Sequence, residues 1–286
     1  MLTRIHTISL FVALLLPTAG YTVPKVAATI NPIHFLVSDV GRGVVKPSLP
    51  SIGMSCVHDY VLKPSDVASL NAADIVFYVD ESMEPYIQKL ADGPQKKLIR
   101  LSDEVELLSN RGYHGSYEGQ NTKDFHIWLN PENAKKIIGK ICSTLSEADP
   151  ENAEIYKKNA ENALEKISAM TEDIHKMLAS VKSVPYIVAH DAYQYFDRYF
   201  GLHCVASLSS GHITAKELFL ARAAAKRHGV KCIFTDMYGN KQRYKFISKK
   251  IKIQAVDPIG SSITVDEDGY YQLMQTLAEG FKKCLE

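Results

Sequence analysis

Four side chains able to hold a metal sit beside the ends of elements that the sequence pattern predicts. His58 lies in a loop before a capped helix, and His126 precedes an Asn-Pro helix start. His190 directly follows an apolar strand, and Asp257 directly follows another. In open α/β sheets, ligands bind just beyond the carboxyl ends of strands, so two such lobes could present these residues to one another across a cleft. Imidazole nitrogens with one carboxylate oxygen suit a borderline divalent cation such as zinc, and they tolerate manganese. Spacing alone does not select the four, because neighbouring members lie more than sixty residues apart. Asp257 has a second reading, as the cap of a turn before Pro258.

The elements that would position them alternate in type. Short apolar strands are expected over Lys25–Ile30, Ile75–Val79, Lys97–Leu101, Tyr186–Ala189, Val230–Phe234 and Ile251–Val256. Between them helices are expected from about Pro32 to Val40, from a Ser65 cap through Leu70, over Met83–Leu90, Tyr193–Phe200 and Lys241–Lys249, and last over Tyr270–Cys284. This β–α alternation argues for parallel sheets covered by helices. Asn130-Pro131-Glu132 opens a helix to about Ser146, with Asn as cap, Pro at the first helical position and an acid in the first turn. Glu151 to Val181 contains neither Gly nor Pro. Ile155, Leu164, Ile167, Met170, Ile174, Met177 and Leu178 form a stripe along it at helical spacing. That pattern predicts one long helix running the length of both lobes. Residues 110–123 are polar and rich in Gly, Asn, Ser and Tyr, and read as a surface loop.

Bulk composition narrows the class. Apolar residues make up 46% of the 286-residue chain and charged residues 23%, as in an ordinary globular protein. Lys and Arg number 33 against 32 Asp and Glu, a balance that gives no reason to expect nucleic acid or an anionic membrane as partner. Residues 1–20 read as a signal peptide: Arg4, then an apolar run over Ile8–Leu16, then the small residues Thr18-Ala19-Gly20. That run is too short to span a bilayer, and no cysteine follows it to accept a lipid, so release into a periplasm is expected. The remainder is long enough for two lobes, expected at 21–150 and 183–286 and joined by the helix at 151–182. Five cysteines (56, 142, 204, 232 and 284) permit disulfides but leave at least one unpaired.

Three segments carry a family resemblance. Gly53–Leu70, with His58-Asp59-Tyr60 and Lys63-Pro64-Ser65-Asp66, resembles the first metal motif of the ZnuA-type zinc receptors of ABC importers. His126-Ile127-Trp128-Leu129-Asn130-Pro131 is similar to their second motif, and His190-Asp191-Ala192-Tyr193-Gln194-Tyr195-Phe196 to their third. Asp257-Pro258-Ile259-Gly260 resembles the strand-end segment that supplies an acidic ligand in several relatives. The resemblance covers essentially the whole mature chain. It implies two α/β lobes, each with a mainly parallel sheet, joined by one long helix, with the metal site in the interlobe cleft.

It further implies that His58, His126 and His190 hold Zn2+ as cargo, with Asp257 or a water as the fourth donor and Mn2+ as an alternative ion. Trp128 and Tyr195 then pack in support of the adjacent ligands. The remaining histidines (34, 114, 175, 203, 212 and 228) fall in no motif and are read as surface or packing residues. The resemblance also implies a Cys232–Cys284 disulfide, an inner-membrane permease as partner and a monomer that performs no chemistry on a substrate. Two departures stand out. The loop before His126 holds only His114, where many relatives carry a His-rich insertion, and Val57 stands where some place a glutamate. Three histidines with an open position would also suit a secreted zinc hydrolase. Against that, the chain lacks a His-Glu-x-x-His helix. A metal-binding adhesin is the other alternative.

Overall fold

The computed structural model describes residues 22–50, 63–90, 96–111, 122–208, 213–237, 241–248, 250–264 and 268–286. The expected signal segment, the loop carrying His114, and His58 with Cys56 lie outside them.

Two parallel sheets organise the chain. In the first, β1 (Val26–Ala28), β2 (Ile75–Tyr78) and β3 (Lys97–Arg100) lie in sequence order. The second contains β4 (Tyr186–Val188), β5 (Cys204–Ser207), β6 (Cys232–Thr235) and β7 (Lys252–Ala255), in the spatial order β5-β4-β6-β7. Strands covered on both faces read as continuous apolar runs, and alternate residues then enter different cores. Ile75 and Phe77 enter the main core while Val76 and Tyr78 enter an outer one. In the second sheet, Tyr186, Val188, Cys232 and Phe234 face the main core, and Ile187 and Ile233 face outward.

The main core is shared by both sheets. It is filled by α1 (Asn31–Gly41), α3 (Pro131–Ala148), α4 (Ala153–Leu178) and α8 (Gly269–Leu285). Of the remaining helices, α5 (Gln194–Phe200) adds Tyr195, Phe196 and Phe200 to the main core, α2 (Pro64–Ala72) adds Leu70 to the outer core of the first sheet, and α6 (Ala215–His228) and the single turn α7 (Lys241–Tyr244) add Ala221, Ala225 and Tyr244 to that of the second. The helix α4 packs on α3, α1 and α8, so it touches elements from both ends of the chain. Its 26 residues span about 39 Å. Asn159 on α4 donates to the carbonyls of Val40 and Arg42, satisfying the carboxyl end of α1.

Several element assignments differ from the sequence reading. The long helix is shorter than 151–181: Pro150–Asn152 forms a separate 3-10 turn and the helix ends at Leu178. Ile155, assigned to its apolar stripe, is exposed, and the neighbouring Tyr156 is buried instead, donating to Asp149 Oδ2 at 2.8 Å. Ser65 does not cap α2. Pro64 begins that helix, and Asp66 reaches back to accept the Lys63 backbone N–H at 2.8 Å. Met83–Leu90 contains only a 3-10 turn at Pro85–Lys89, and the helix expected over Lys241–Lys249 stops at Tyr244. Strand β5 and helix α6 were not anticipated. The helix begins with a Thr214–Glu217 capping box, a signal present in the sequence.

Cys232 on β6 and Cys284 on α8 are bonded, 52 residues apart, tying the last helix to the centre of the second sheet. Cys142 and Cys204 are unbonded and partly buried. Closing so long a loop restricts the unfolded chain. Replacing both bonded cysteines by Ser should therefore lower the unfolding free energy by about 2–4 kcal/mol. Urea melts of the oxidised protein and the double variant would measure this, and coincident curves would show that the bridge adds no stability.

Candidate metal centre

His190 stands two residues past β4, and Asp236 stands one residue past β6, the strand beside it. The pairing of these strands places both side chains at the same sheet edge, and His190 Nδ1 lies 3.2 Å from Asp236 Oδ1. His126 enters from the other half of the chain, just before the 3-10 turn Ile127–Leu129 that leads into α3. Asn130 caps α3 by accepting the Glu132 N–H at 2.8 Å, which fixes where the turn, and with it His126, must sit. The His126 and His190 ring centroids are 5.5 Å apart, and both residues are buried.

Each ring is oriented by a carboxylate. Asp124 Oδ1 accepts from both the backbone N–H and Nδ1 of His126, at 2.9 and 2.8 Å. An ionised carboxylate can only accept, so Nδ1 is the donor in each pair, and in the neutral ring the lone pair then lies on Nε2. That tautomer is the one a metal ion requires, and a carboxylate behind a ligating imidazole raises its basicity. The second oxygen of Asp124 is buried without a hydrogen-bond partner among the described residues. Buried anionic oxygen in that state favours a cation nearby. For His190, burial works against the charged form, but the hydrogen bond and charge of Asp236, with Asp191 and Asp124, outweigh it and raise the pKa.

The other expected site residues fall into place unevenly. Asp257 lies two residues beyond β7, and its carboxylate holds the following turn. Oδ1 accepts from Ile259 N at 3.1 Å, and Oδ2 accepts from Ser261 N and Oγ at 2.6 and 2.7 Å. The carboxylate in contact with His190 is Asp236, a residue the sequence reading passed over. Trp128 packs edge-on against His126 and donates its indole N–H to the Pro258 carbonyl at 2.8 Å. Tyr195 accepts from Leu108 N and donates to the Asp124 carbonyl, at 3.0 and 2.9 Å. Both thus pack beside or bond to the segment that carries His126. His126 and His190 do not complete a three-donor group among the described residues, and His58 lies outside them. His34 is a packing residue, its ring bonded to the Pro47 carbonyl and near Ser38 Oγ.

A buried ionic cluster, also missed, braces the His190 segment. The Arg111 guanidinium pairs with Asp191, next to His190, and with Asp197 on α5. Tyr186 donates its hydroxyl to Asp197. The Arg111 backbone N–H donates to Gln194 Oε1, and its carbonyl accepts from Ser207. Burial pushes Asp197 up to about 6, against the pull of Arg111. Nothing in the spacing of these residues announces the cluster, because its members reach one another through the fold.

Residues 26–284 match the family model of ZnuA, described as zinc-uptake complex component A, periplasmic. The chain belongs to the ZnuA family. Among curated relatives, the high-affinity zinc uptake system protein ZnuA of Brucella abortus is 30% identical over an alignment covering 91% of each chain. That of Yersinia pestis is 27% identical, again over 91% of each. In fold, the chain resembles a crystal structure of ZnuA with a TM-score of 0.80 at 20% identity, covering 93% of this chain and 100% of that one. The laminin-binding protein Lbp of Streptococcus pyogenes follows at 0.77 and 20% identity, covering 92% and 99%. The shared fold consists in this chain of two parallel-sheet lobes and one long helix. No described helix is long and apolar enough to cross a membrane.

Two outcomes follow from this geometry. In metal-free protein the His190 imidazole should titrate above the usual histidine range, and Asp236→Asn should move it downward; imidazole NMR resonances followed against pH would show an unchanged midpoint if Asp236 were not its partner. Arg111→Met should strip Asp197 of its cation and cost about 3–5 kcal/mol at neutral pH. Asp197 has a raised pKa in the folded protein. Its protonation below about pH 6 favours the fold, so the loss should shrink toward pH 5. Urea melts of wild type and variant at both pH values give the comparison, and a loss independent of pH would remove Asp197 from the explanation.

Proposed function

We propose that this chain captures one zinc ion in the periplasm and delivers it to the membrane permease of an ABC importer. The observation that carries this reading is the pair of buried histidines, each with Nδ1 held by a carboxylate, in a chain of the ZnuA family. Names of the curated relatives as high-affinity zinc uptake proteins support the same cargo. His58, His126 and His190 donate imidazole nitrogen, and Asp257 donates the fourth ligand. Its carboxylate accepts three hydrogen bonds from its own turn, and an ionised carboxylate has about four acceptor positions, so capacity for an ion remains. A nitrogen-rich donor set binds zinc ahead of manganese, which stands lowest in the divalent series. The hydrolase and adhesin alternatives draw no support from the family.

Capture replaces the ion's water with these donors, and release returns it; no bond of a substrate is made or broken. Finer features belong to the same reading: removal of residues 1–20 on export, a monomer in solution, and lobes at 21–150 and 183–286 joined through 151–182.

Histidine must be neutral to ligate, so proton and zinc compete. Because Asp236 and its neighbours raise the His190 pKa, zinc affinity should begin to fall at a higher pH than an ordinary imidazole would dictate, and should drop steeply toward pH 5. Competition against a chromophoric chelator at several pH values measures this, and constant affinity from neutral pH to about pH 5 would rule out histidine coordination. His58→Ala, His126→Ala and His190→Ala should each weaken zinc binding by more than the roughly 10–100-fold typical of losing an outer hydrogen-bond partner. Far-UV circular dichroism should remain unchanged. Wild-type affinity in all three variants would refute the donor set.

A further inference from the structure

The near-neutral total charge hides a sharp segregation. Residues 216–252 contain eleven Lys and Arg against only Glu217 and Asp236, a net charge of +9. The rest of the chain holds 22 basic and 30 acidic residues, a net charge of −8. Five of the eleven, Arg222, Lys226, Lys231, Lys250 and Lys252, line one open cavity of about 700 Å³ on the second sheet, where Glu286 is the single acidic side chain of the lining. None of the five forms an ion pair among the described residues. The floor is apolar, from Ala225, Val230, Ile247 and Ile251, and Phe246 beside it is 76% exposed.

Five cations against one carboxylate focus a net positive field into the concavity, which attracts an anionic partner and speeds its approach. A bare small anion would leave the apolar floor in water. A bilayer is flat and cannot enter a concave groove. An acidic peptide segment with interspersed apolar side chains satisfies both the rim and the floor. Position adds a further constraint. Lys231 and Lys252 stand at the amino ends of β6 and β7, whereas His190 and Asp236 stand past the carboxyl ends of β4 and β6. In parallel strands these are opposite edges of the sheet, so a partner here leaves the metal centre uncovered.

We infer that this basic groove is a docking site for an acidic, partly apolar segment of a partner protein, occupied independently of the metal.

The test is fluorescence anisotropy of the full chain with a labelled decapeptide alternating Glu and Leu. The expected result is saturable binding that weakens with added NaCl and is the same with and without zinc. A matching Glu–Ser peptide should bind at least fivefold more weakly. The variant Lys226→Glu/Lys231→Glu/Lys252→Glu should lose at least tenfold in peptide affinity while its zinc affinity is unchanged. The corresponding Gln variant should give a smaller loss, and it substitutes if charge reversal disturbs the fold. Absence of peptide binding, or equal binding of the Glu–Ser peptide, overturns the inference. It is also overturned if inorganic pyrophosphate displaces the peptide at equal concentration, which marks a small-anion site. Sedimentation of wild type but not variant with phosphatidylglycerol vesicles would mark a membrane site instead and overturn it likewise.

Discussion

Two imidazoles supplied by different halves of a chain can share an ion only if those halves are held in one register. Here the register is set by a common core and by directional bonds laid across it. The core unites residues of both sheets with α1, α3, α4 and α8. Apolar contact supplies cohesion but little direction, and the direction comes from polar groups. Trp128, two residues past His126, donates to Pro258, one residue past Asp257. Asn31 of α1 donates to the Gly260 carbonyl in the same turn. Tyr195 joins the His190 motif to Asp124, and so to the ring of His126. Gly260 completes this arrangement with a φ of +65°, and a Cβ there would press on Phe35 and Ile263.

The same construction limits how the centre can open. Trp128 and Tyr270 are fully buried and linked, the tyrosine donating to the tryptophan carbonyl at 2.7 Å. Each large aromatic buries roughly 150–250 Å². Exposing both by swinging the sheets apart would cost on the order of 10 kcal/mol, comparable to the stability of a whole domain. Swinging the two sheets apart is therefore disfavoured, and they remain on their shared helical layer.

What could be read from the sequence follows from what kind of physics fixes each feature. Strands buried on both faces leave compact apolar runs, so β1 to β4 and β6 to β7 were legible to within a few residues. Asn130-Pro131 announced α3 because capping is local. Strand β5 was not legible, since Cys204–Ser207 is short and built of small residues, and its place depends on pairing with β4. The capping box of α6 was present but lay between segments without a strong apolar stripe. At the site, the histidines emerged through motif resemblance, whereas their carboxylate partners did not. Asp236 nevertheless obeys the strand-end rule that placed His190 and Asp257, and Asp124 lies two residues from the histidine it orients. The Arg111 cluster could not have been read, because residues 80 and more apart meet only after folding.

Charge is the property that composition conceals most completely in this chain. A total of +1 suggests an electrostatically featureless surface, yet the acidic groups Asp124, Asp191, Asp236 and Asp257 flank the histidine segments while the cations gather toward the opposite edge of the second sheet. The two edges of the second sheet therefore differ in the sign of the charge they carry. Near the histidines Arg111 is the exception. Its charge is paired with Asp191 and Asp197, which braces the His190 segment. The carboxylates of Asp124 and Asp236 are similarly engaged with Nδ1 atoms and raise the basicity of the rings they hold. The orientation of both histidine rings thus comes from carboxylates.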